Sequence, residues 1–249
     1  MKYNVWFACL LMLGIVDPAV PQGRGRVPVL VELFTSEGCS SCPPADALLE
    51  KLDRIQPVPD AEILVLSEHV DYWNSLGWKD PFSSHEFSSR QEAYGRRFHR
   101  DGVYTPQMVV DGSSEFVGSD SRQALAAIAH AVQAEKVQVR ISRIQPSAAS
   151  PANLRIEVDA GRFSGEVYLA VAENRAASQV LRGENRGRSL QHVAVVRRIQ
   201  SIGNWNGRTP FTKDIVAGEA SASTTRLVAF AQESGDGRVL GAAMLGASQ

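Results

Sequence analysis

Val29-Leu-Val-Glu-Leu-Phe-Thr-Ser-Glu-Gly-Cys-Ser-Ser-Cys-Pro-Pro-Ala-Asp46 is the stretch on which the reading of the fold turns. Val29 to Phe34 is an apolar run rich in β-branched and aromatic residues, which predicts a buried strand. Thr35-Ser-Glu-Gly38 breaks the run and turns the chain. Cys39-Ser40-Ser41-Cys42 follows, and Pro43-Pro44 opens a helical pattern with Leu48, Leu49 and Leu52 on one face. The local order is therefore strand, turn, Cys-x-x-Cys, helix.

That order carries chemistry. Two residues in a turn entering a helix bring two sulfurs within bonding distance with little strain. The helix N-terminus offers unpaired N–H groups and the positive end of the dipole, and both favour a thiolate. Cys39, nearer the turn and expected to be exposed, is assigned as nucleophile; Cys42 is the shielded, resolving thiol. Ser40 and Ser41 are small hydroxyl donors suited to a thiolate. Pro43 and Pro44 lack N–H groups, and Pro44 disfavours α geometry at Pro43, so the helix is expected to start late and to lower the Cys39 pKa less. Two other readings remain open. The pair could be half of a zinc site, which normally needs a second pair, or an inert structural bridge.

Composition narrows the classes. In 249 residues, 26 Lys and Arg nearly balance 27 Asp and Glu, for a net charge of −1. Nothing in this points to nucleic acid or an anionic membrane surface as partner. The N-terminus stands apart. Lys2 precedes an apolar run, Val5 to Val16, too short to span a bilayer comfortably and fitting a secretory signal peptide, with Ala19 the best cleavage candidate. Residues 1–20 are thus expected to be removed on export to the periplasm or beyond, leaving no stable membrane span. Cys9, the only other cysteine, falls inside this leader. The mature chain then keeps Cys39 and Cys42, a pair that an oxidising compartment favours as a disulfide.

After a Gly/Pro/Arg linker and the first strand and helix, Glu62 to His69 reads as a second buried strand, completing a parallel βαβ unit. In open α/β sheets function collects at the C-terminal strand ends, which places His69 near Thr35 to Cys39. Val70 to Phe82 mixes Tyr72, Trp73, Trp78 and Phe82 with Asp71, Asn74, Lys79 and Asp80, the character of a loop lining a cleft or simply packing. Ser84 to Arg100 reads as an exposed helix, with Phe87, Tyr94 and Phe98 near helical spacing. Gln107 to Val110 is a strand, Asp111-Gly112 a hairpin turn, and Glu115 to Gly118 its return. Ser119 or Asp120 caps a helix from Arg122 to about Ala134, with Leu125, Ile128 and Val132 on one face.

The Cys-x-x-Cys turn together with Thr105-Pro106 before the hairpin resembles the thioredoxin superfamily. That resemblance implies a cis Pro106 facing the cysteines and shaping a groove for a partner's backbone. Residues Val31 to Asp46, His69-Val-Asp-Tyr-Trp73, Gly77-Trp-Lys-Asp-Pro81 and Tyr104 to Gly112 resemble more closely an uncharacterised family of secreted bacterial thioredoxin-like proteins, domain-of-unknown-function family 1223. The likeness runs from about Val29 to the end. It implies fold and export but no substrate.

A boundary is expected near Glu135. Beyond it, Val137 to Ile144, Leu154 to Val158, Val167 to Ala172, Val193 to Val196, Arg226 to Gln232 and Val239 to Leu245 read as short strands, with Gln145 to Ala152 a turn region, which suggests a β-sandwich. The expected architecture is a thioredoxin-like α/β domain, residues 27–135, followed by a β-sandwich, residues 136–249, α+β overall. Arg182-Gly-Glu-Asn-Arg-Gly-Arg188 is a Gly-broken charged loop. It reads either as solvated surface or as a loop folded over the cysteines, where Arg186 or Arg188 would bind an anionic group or stabilise the Cys39 thiolate.

The reading is an exported thiol–disulfide oxidoreductase exchanging with protein or small-molecule thiols and disulfides and with an unidentified redox partner. Cys39, Cys42 and Pro106 are its catalytic residues; Thr105, His69, Asp71, Tyr72, Trp73, Arg186 and Arg188 are candidate substrate contacts. It needs no cofactor and no metal. A second reading is a periplasmic copper-binding or delivery module using Cys39, Cys42 and His69, a donor set suited to Cu(I). A third is a non-enzymatic interaction protein on the same scaffold, since fold does not fix function.

Overall fold

The structure, a computed structural model, describes residues 25–146, 153–216, 224–235 and 237–246. The apolar leader, with Cys9 and Ala19, and most of the Gln145–Ala152 turn region lie outside them. Among the described residues no helix is long and apolar enough to cross a membrane.

Strand β1, Val27–Thr35, runs into the Cys-x-x-Cys turn, and helix α1, Pro43–Ile55, follows. Strand β2, Ala61–His69, lies parallel to β1, with Thr35 opposite His69. The 3-10 turn Tyr72–Leu76 and helix α2, His85–Arg97, lead to the hairpin of β3, Gln107–Val110, and β4, Ser114–Val117. Helix α3, Ser121–Ala131, closes this half; its N-cap Asp120 accepts from the amides of Arg122 and Gln123.

The second half supplies β5, Val139–Arg143; β6, Leu154–Val158; β7, Gly165–Gln179; β8, Ser189–Trp205; β9, Phe211–Ile215; β10, Thr225–Glu233; and β11, Val239–Leu245. An eight-stranded mixed sheet has the order β11-β10-β7-β8-β2-β1-β3-β4, and a three-stranded antiparallel sheet the order β5-β6-β9. The large sheet thus draws strands from both sides of residue 135: β8 pairs in parallel with β2 at Ser67 and Val195.

One face of the first half packs Val31, Leu33, Ile63 and Val65 against Leu49 and Leu52 of α1 and Ile128 of α3. Burying each such side chain is worth about 1.5–3 kcal/mol, enough to fix α1 on the sheet. The opposite face gathers Leu30, Leu64, Leu66 and Phe87 with Phe230 and Val196. The small sheet packs Val139, Leu154 and Ile156 onto Val167, Leu169, Trp205 and Leu227.

Several expectations need correction. α2 is not an exposed helix: Phe87, Ser88, Arg90, Gln91 and Tyr94 are buried. Arg90 and Tyr94 look like surface residues but satisfy each other and Glu32. The Arg90 guanidinium lies 2.6 Å from Glu32, and the Tyr94 hydroxyl donates to Glu32 Oε2 at 2.6 Å. α3 turns Ala124, Ile128 and Ala131 inward and leaves Leu125 exposed, so its buried stripe is narrower and differently phased than predicted. β7 and β8 run far beyond Val167–Ala172 and Val193–Val196. Their extra lengths are half-exposed and polar, which hides them from a search for apolar runs. This long two-stranded ribbon carries its connecting loop to the cysteines.

Candidate functional site

Cys39 and Cys42 are joined by a disulfide, with their Cα atoms 5.4 Å apart. Cys42 is the N-cap of α1 and the helix starts at Pro43, so the expected late start does not occur. Fixed proline φ is compatible with the first helical positions. The prolines act differently: they delete the first two amides, and the next two, Ala45 and Asp46, both donate to the Cys42 carbonyl, at 2.8 and 3.1 Å. The helix therefore offers its dipole to the sulfurs but not the free N–H groups that the sequence suggested. A side-chain donor is in place instead, with Ser41 Oγ 3.3 Å from Cys39 Sγ.

The expectation of an exposed Cys39 is overturned: both cysteines have 0% exposure, while Ser40 and Ser41 between them are exposed. The loop between β7 and β8 lies against the Cys-x-x-Cys turn. Asn185, itself fully buried, donates through Nδ2 to the carbonyls of Glu37 and Cys39, each at 2.9 Å. Glu184 accepts the Ser40 amide at 3.0 Å, and the Ser40 hydroxyl and amide together hold its carboxyl below the ordinary value. The loop does fold onto the turn that carries the cysteines, but through Glu184 and Asn185. Arg186 and Arg188 are exposed, and among the described residues neither side chain makes a hydrogen bond or ion pair.

Behind the turn lies a buried group of titratable side chains. Asp80 Oδ2 accepts the Glu37 amide at 2.8 Å and lies 2.7 Å from His69 Nδ1. Burial opposes ionisation of Asp80, yet His69 and the backbone donors outweigh it and lower its pKa. Glu37 accepts from Trp78 Nε1 at 2.8 Å and from the Ser178 hydroxyl, and lies 3.3 Å from His192 Nε2. Asp46, hydrogen-bonded by Thr35 Oγ1 at 3.0 Å, stands 3.9 Å from His192 Nδ1. Burial of the His192 ring works against its charged form, but the carboxylates of Asp46 and Glu37 prevail and raise its pKa to about 9. His192 and His69 meet edge to face with ring centroids 4.7 Å apart, and Phe82 packs on both. His69 Nε2 is buried without a hydrogen-bond partner. In a neutral ring with Nδ1–H on Asp80, Nε2 carries the lone pair.

The Thr105–Pro106 bond is cis. A Cβ at Gly118 would lie 2.7 Å from Leu33, 3.1 Å from Pro106 and 3.2 Å from Ala45, so Pro106 converges on the first turn of α1 and only glycine fits there. Trp73 donates Nε1 to Thr105 Oγ1 at 2.8 Å and approaches Gly38 so closely that an added Cβ would be 3.2 Å from its own. The structure thus gathers Cys39, Cys42, His69, Trp73, Thr105 and Pro106. Asp71 and Tyr72 tie the aromatic loop to α2: the Asp71 amide donates to Ser88 and the Tyr72 hydroxyl to Gln91, each at 3.0 Å, and Tyr72 also interacts with Thr105. Burial raises the Tyr72 pKa to about 12.

Sequence reasoning left out Glu37, Asp46, Asp80, Glu184, Asn185 and His192. The first three stood inside quoted motifs, and Glu184 and Asn185 inside the quoted Arg182–Arg188 loop; Glu37 before Gly38 and Asp80 before Pro81 were charges at turns, while Asp46 reads as an ordinary acid in the first turn of a helix. His192 carried none, because nothing in the chain tells which of its neighbours the β8 ribbon would meet. Among the described residues no group of three or more His, Cys, Asp or Glu side chains is arranged to hold a metal ion.

The sequence profile of the family described as "Protein of unknown function (DUF1223)" matches residues 30–232. No curated protein matches. Among solved structures, the crystal structure of protein AGR_C_4864 from Agrobacterium tumefaciens is similar at 30% identity and a TM-score of 0.74, covering 91% of this chain and 97% of that one. HBP35 of Porphyromonas gingivalis is similar at 15% identity and a TM-score of 0.58, covering 90% of this chain and 76% of that one, a likeness of fold alone.

Proposed function

We propose that this chain, which belongs to the DUF1223 family, is an exported thiol–disulfide oxidoreductase working through Cys39 and Cys42. One observation carries the reading. The disulfide sits at the N-cap of α1, at the end where Pro106 converges, and the turn that carries it is held by Glu37, whose amide and side chain join a buried group of Asp80, His69 and His192. Perturbed titratable groups cluster at functional sites, where protons must move.

The exchange is balanced without a cofactor. A substrate thiolate attacks one sulfur, the Cys39–Cys42 bond breaks, and its electron pair leaves with the other sulfur as a thiolate. A second substrate thiolate displaces the protein sulfur from the mixed disulfide. The substrate ends oxidised and the protein holds two thiols; the reverse sequence reduces a substrate.

The finer architecture, a thioredoxin-like unit followed by a sandwich, draws support from the order β2-β1-β3-β4 with α1 and α3 on one face. The three-stranded sheet packed on β7, β8 and β10 supports it further. A leader at residues 1–20 and an oxidising destination fit a chain whose remaining cysteines are paired. The copper reading stands second, on the unpartnered His69 Nε2.

The test is trapping in periplasmic extract. Cys42→Ser should accumulate a mixed disulfide visible on a non-reducing gel, and Cys39→Ser should trap little. No adduct from either variant, together with no insulin turnover, removes the redox reading. Stoichiometric copper binding by the reduced protein, lost in both variants, would install the alternative.

A further inference from the structure

The mixed-disulfide chemistry requires a sulfur that a partner can reach, and in this structure neither is reachable: Cys39 and Cys42 have 0% exposure. We infer that the hairpin end Leu181–Arg188 is a latched lid over the disulfide, that Asn185 is its latch, and that exchange at Cys39 and Cys42 proceeds only while this lid is open.

The latch has three contacts and a built-in weakness. The Asn185 carboxamide spans the carbonyls of Glu37 and Cys39. Both partners are acceptors, so the group facing them must be the NH2. That leaves Asn185 Oδ1 buried with no partner. An unpaired buried acceptor disfavours the closed state relative to one in which water reaches it. Glu184, holding the Ser40 amide, adds the third contact from the solvent side. The closed loop is held by these polar bonds and by Gly183 seated on Trp78, where an added Cβ would lie 3.2 Å from the Trp78 Cβ. Leu181, its large hydrophobic residue, is 68% exposed, and Val180, at the base, stays buried.

The ends suit a local motion. Val180 and Arg188 are bonded to each other, with the Val180 amide donating to Arg188 and the Gly187 amide donating back to Val180. Opening can thus pivot above this pair without unzipping β7 from β8. Gly183 and Gly187 sit at φ +75 and +83, a region open to glycine at little cost, and nothing lies within 4 Å of a Cβ placed on Gly187. Low-stability segments of this kind are where access to a site is regulated.

The inference rests on the redox reading only for its purpose. Its test follows reduction of the bridge itself, with tris(2-carboxyethyl)phosphine as probe, by alkylation and mass spectrometry. Asn185→Ala removes two hydrogen bonds of the closed state, so reduction should quicken about tenfold or more. Glu184→Gln, which keeps an acceptor but drops its charge, should quicken it less. In the wild type, reduction should depend only weakly on added urea, as for local opening. An unchanged rate in Asn185→Ala, or wild-type reduction with the full urea dependence of global unfolding, overturns the lid. Should Asn185→Ala fail to fold, the wild-type urea dependence decides alone. A failed trapping experiment accompanied by the predicted phosphine rates would sink the redox reading and leave the lid standing.

Discussion

Replacing His192 by Gln removes a buried cation held between two carboxylates, and its consequence is fixed in sign. The folded protein holds this imidazole with a pKa raised from 6.5 to about 9. Between those values the folded state binds a proton that the unfolded state has released, so stability is fully present below pH 6.5 and falls as pH rises through 9. Each pH unit of separation is worth about 1.4 kcal/mol, so the wild type should lose about 3 kcal/mol from this group between pH 6 and pH 10. Urea unfolding of the oxidised protein at pH 6, 7, 8, 9 and 10, on wild type and His192→Gln, measures it. The gap between the two curves should close by about 3 kcal/mol across the series, because the glutamine side chain does not titrate there. Taking the difference cancels the tyrosines whose pKa values lie higher. A gap that stays constant with pH would mean that His192 is not charged in the folded protein, and the picture of an ion group beneath the disulfide would be wrong.

Three further outcomes follow from the packing. Arg90→Met strands Glu32, buried at 0% exposure beside Glu68 and Tyr94, and should cost about 3–5 kcal/mol in urea unfolding. Burial and the neighbouring Glu32 push the Glu68 carboxyl up, so Glu68→Gln, which keeps the shape and removes the charge they oppose, should cost less than about 1 kcal/mol near neutrality. Trp73→Phe keeps most of the ring contact with the cluster of Phe34, Val70, Tyr94 and Val109 but loses the bond to Thr105, so it should cost about 1 kcal/mol. An unaltered unfolding midpoint would return Trp73 to a purely cleft-lining role.

Much of the first half was legible because its signals are local. Val29 to Phe34 is apolar but for Glu32, Asp111-Gly112 marks a turn, and Asp120, one of the two cap candidates, caps its helix. Thr105-Pro106 and the Cys-x-x-Cys pair were visible as motifs, and the site forms where strand ends predicted. What stayed hidden depends on distance along the chain. Glu32 inside an apolar strand has no local explanation; its partner Arg90 lies 58 residues away. The exposed helix became a half-buried one for the same reason, since Arg90, Gln91 and Tyr94 read as surface until their partners are seen. The contact with the Cys39 carbonyl comes from Asn185, 146 residues on, carried there by two strands whose polar outer lengths carry no apolar pattern. The arginines of that loop drew attention because charge suggests anion binding, yet the buried contact is made by the uncharged side chain between them.

The central claim is that Cys39–Cys42 is a working redox pair. Its most direct test is the reduction potential at pH 7, from alkylation of the protein equilibrated in dithiothreitol and glutathione redox buffers. The account predicts a value within the range of known oxidoreductases, about −270 to −120 mV. A value below about −300 mV, the range of structural bridges, would contradict it.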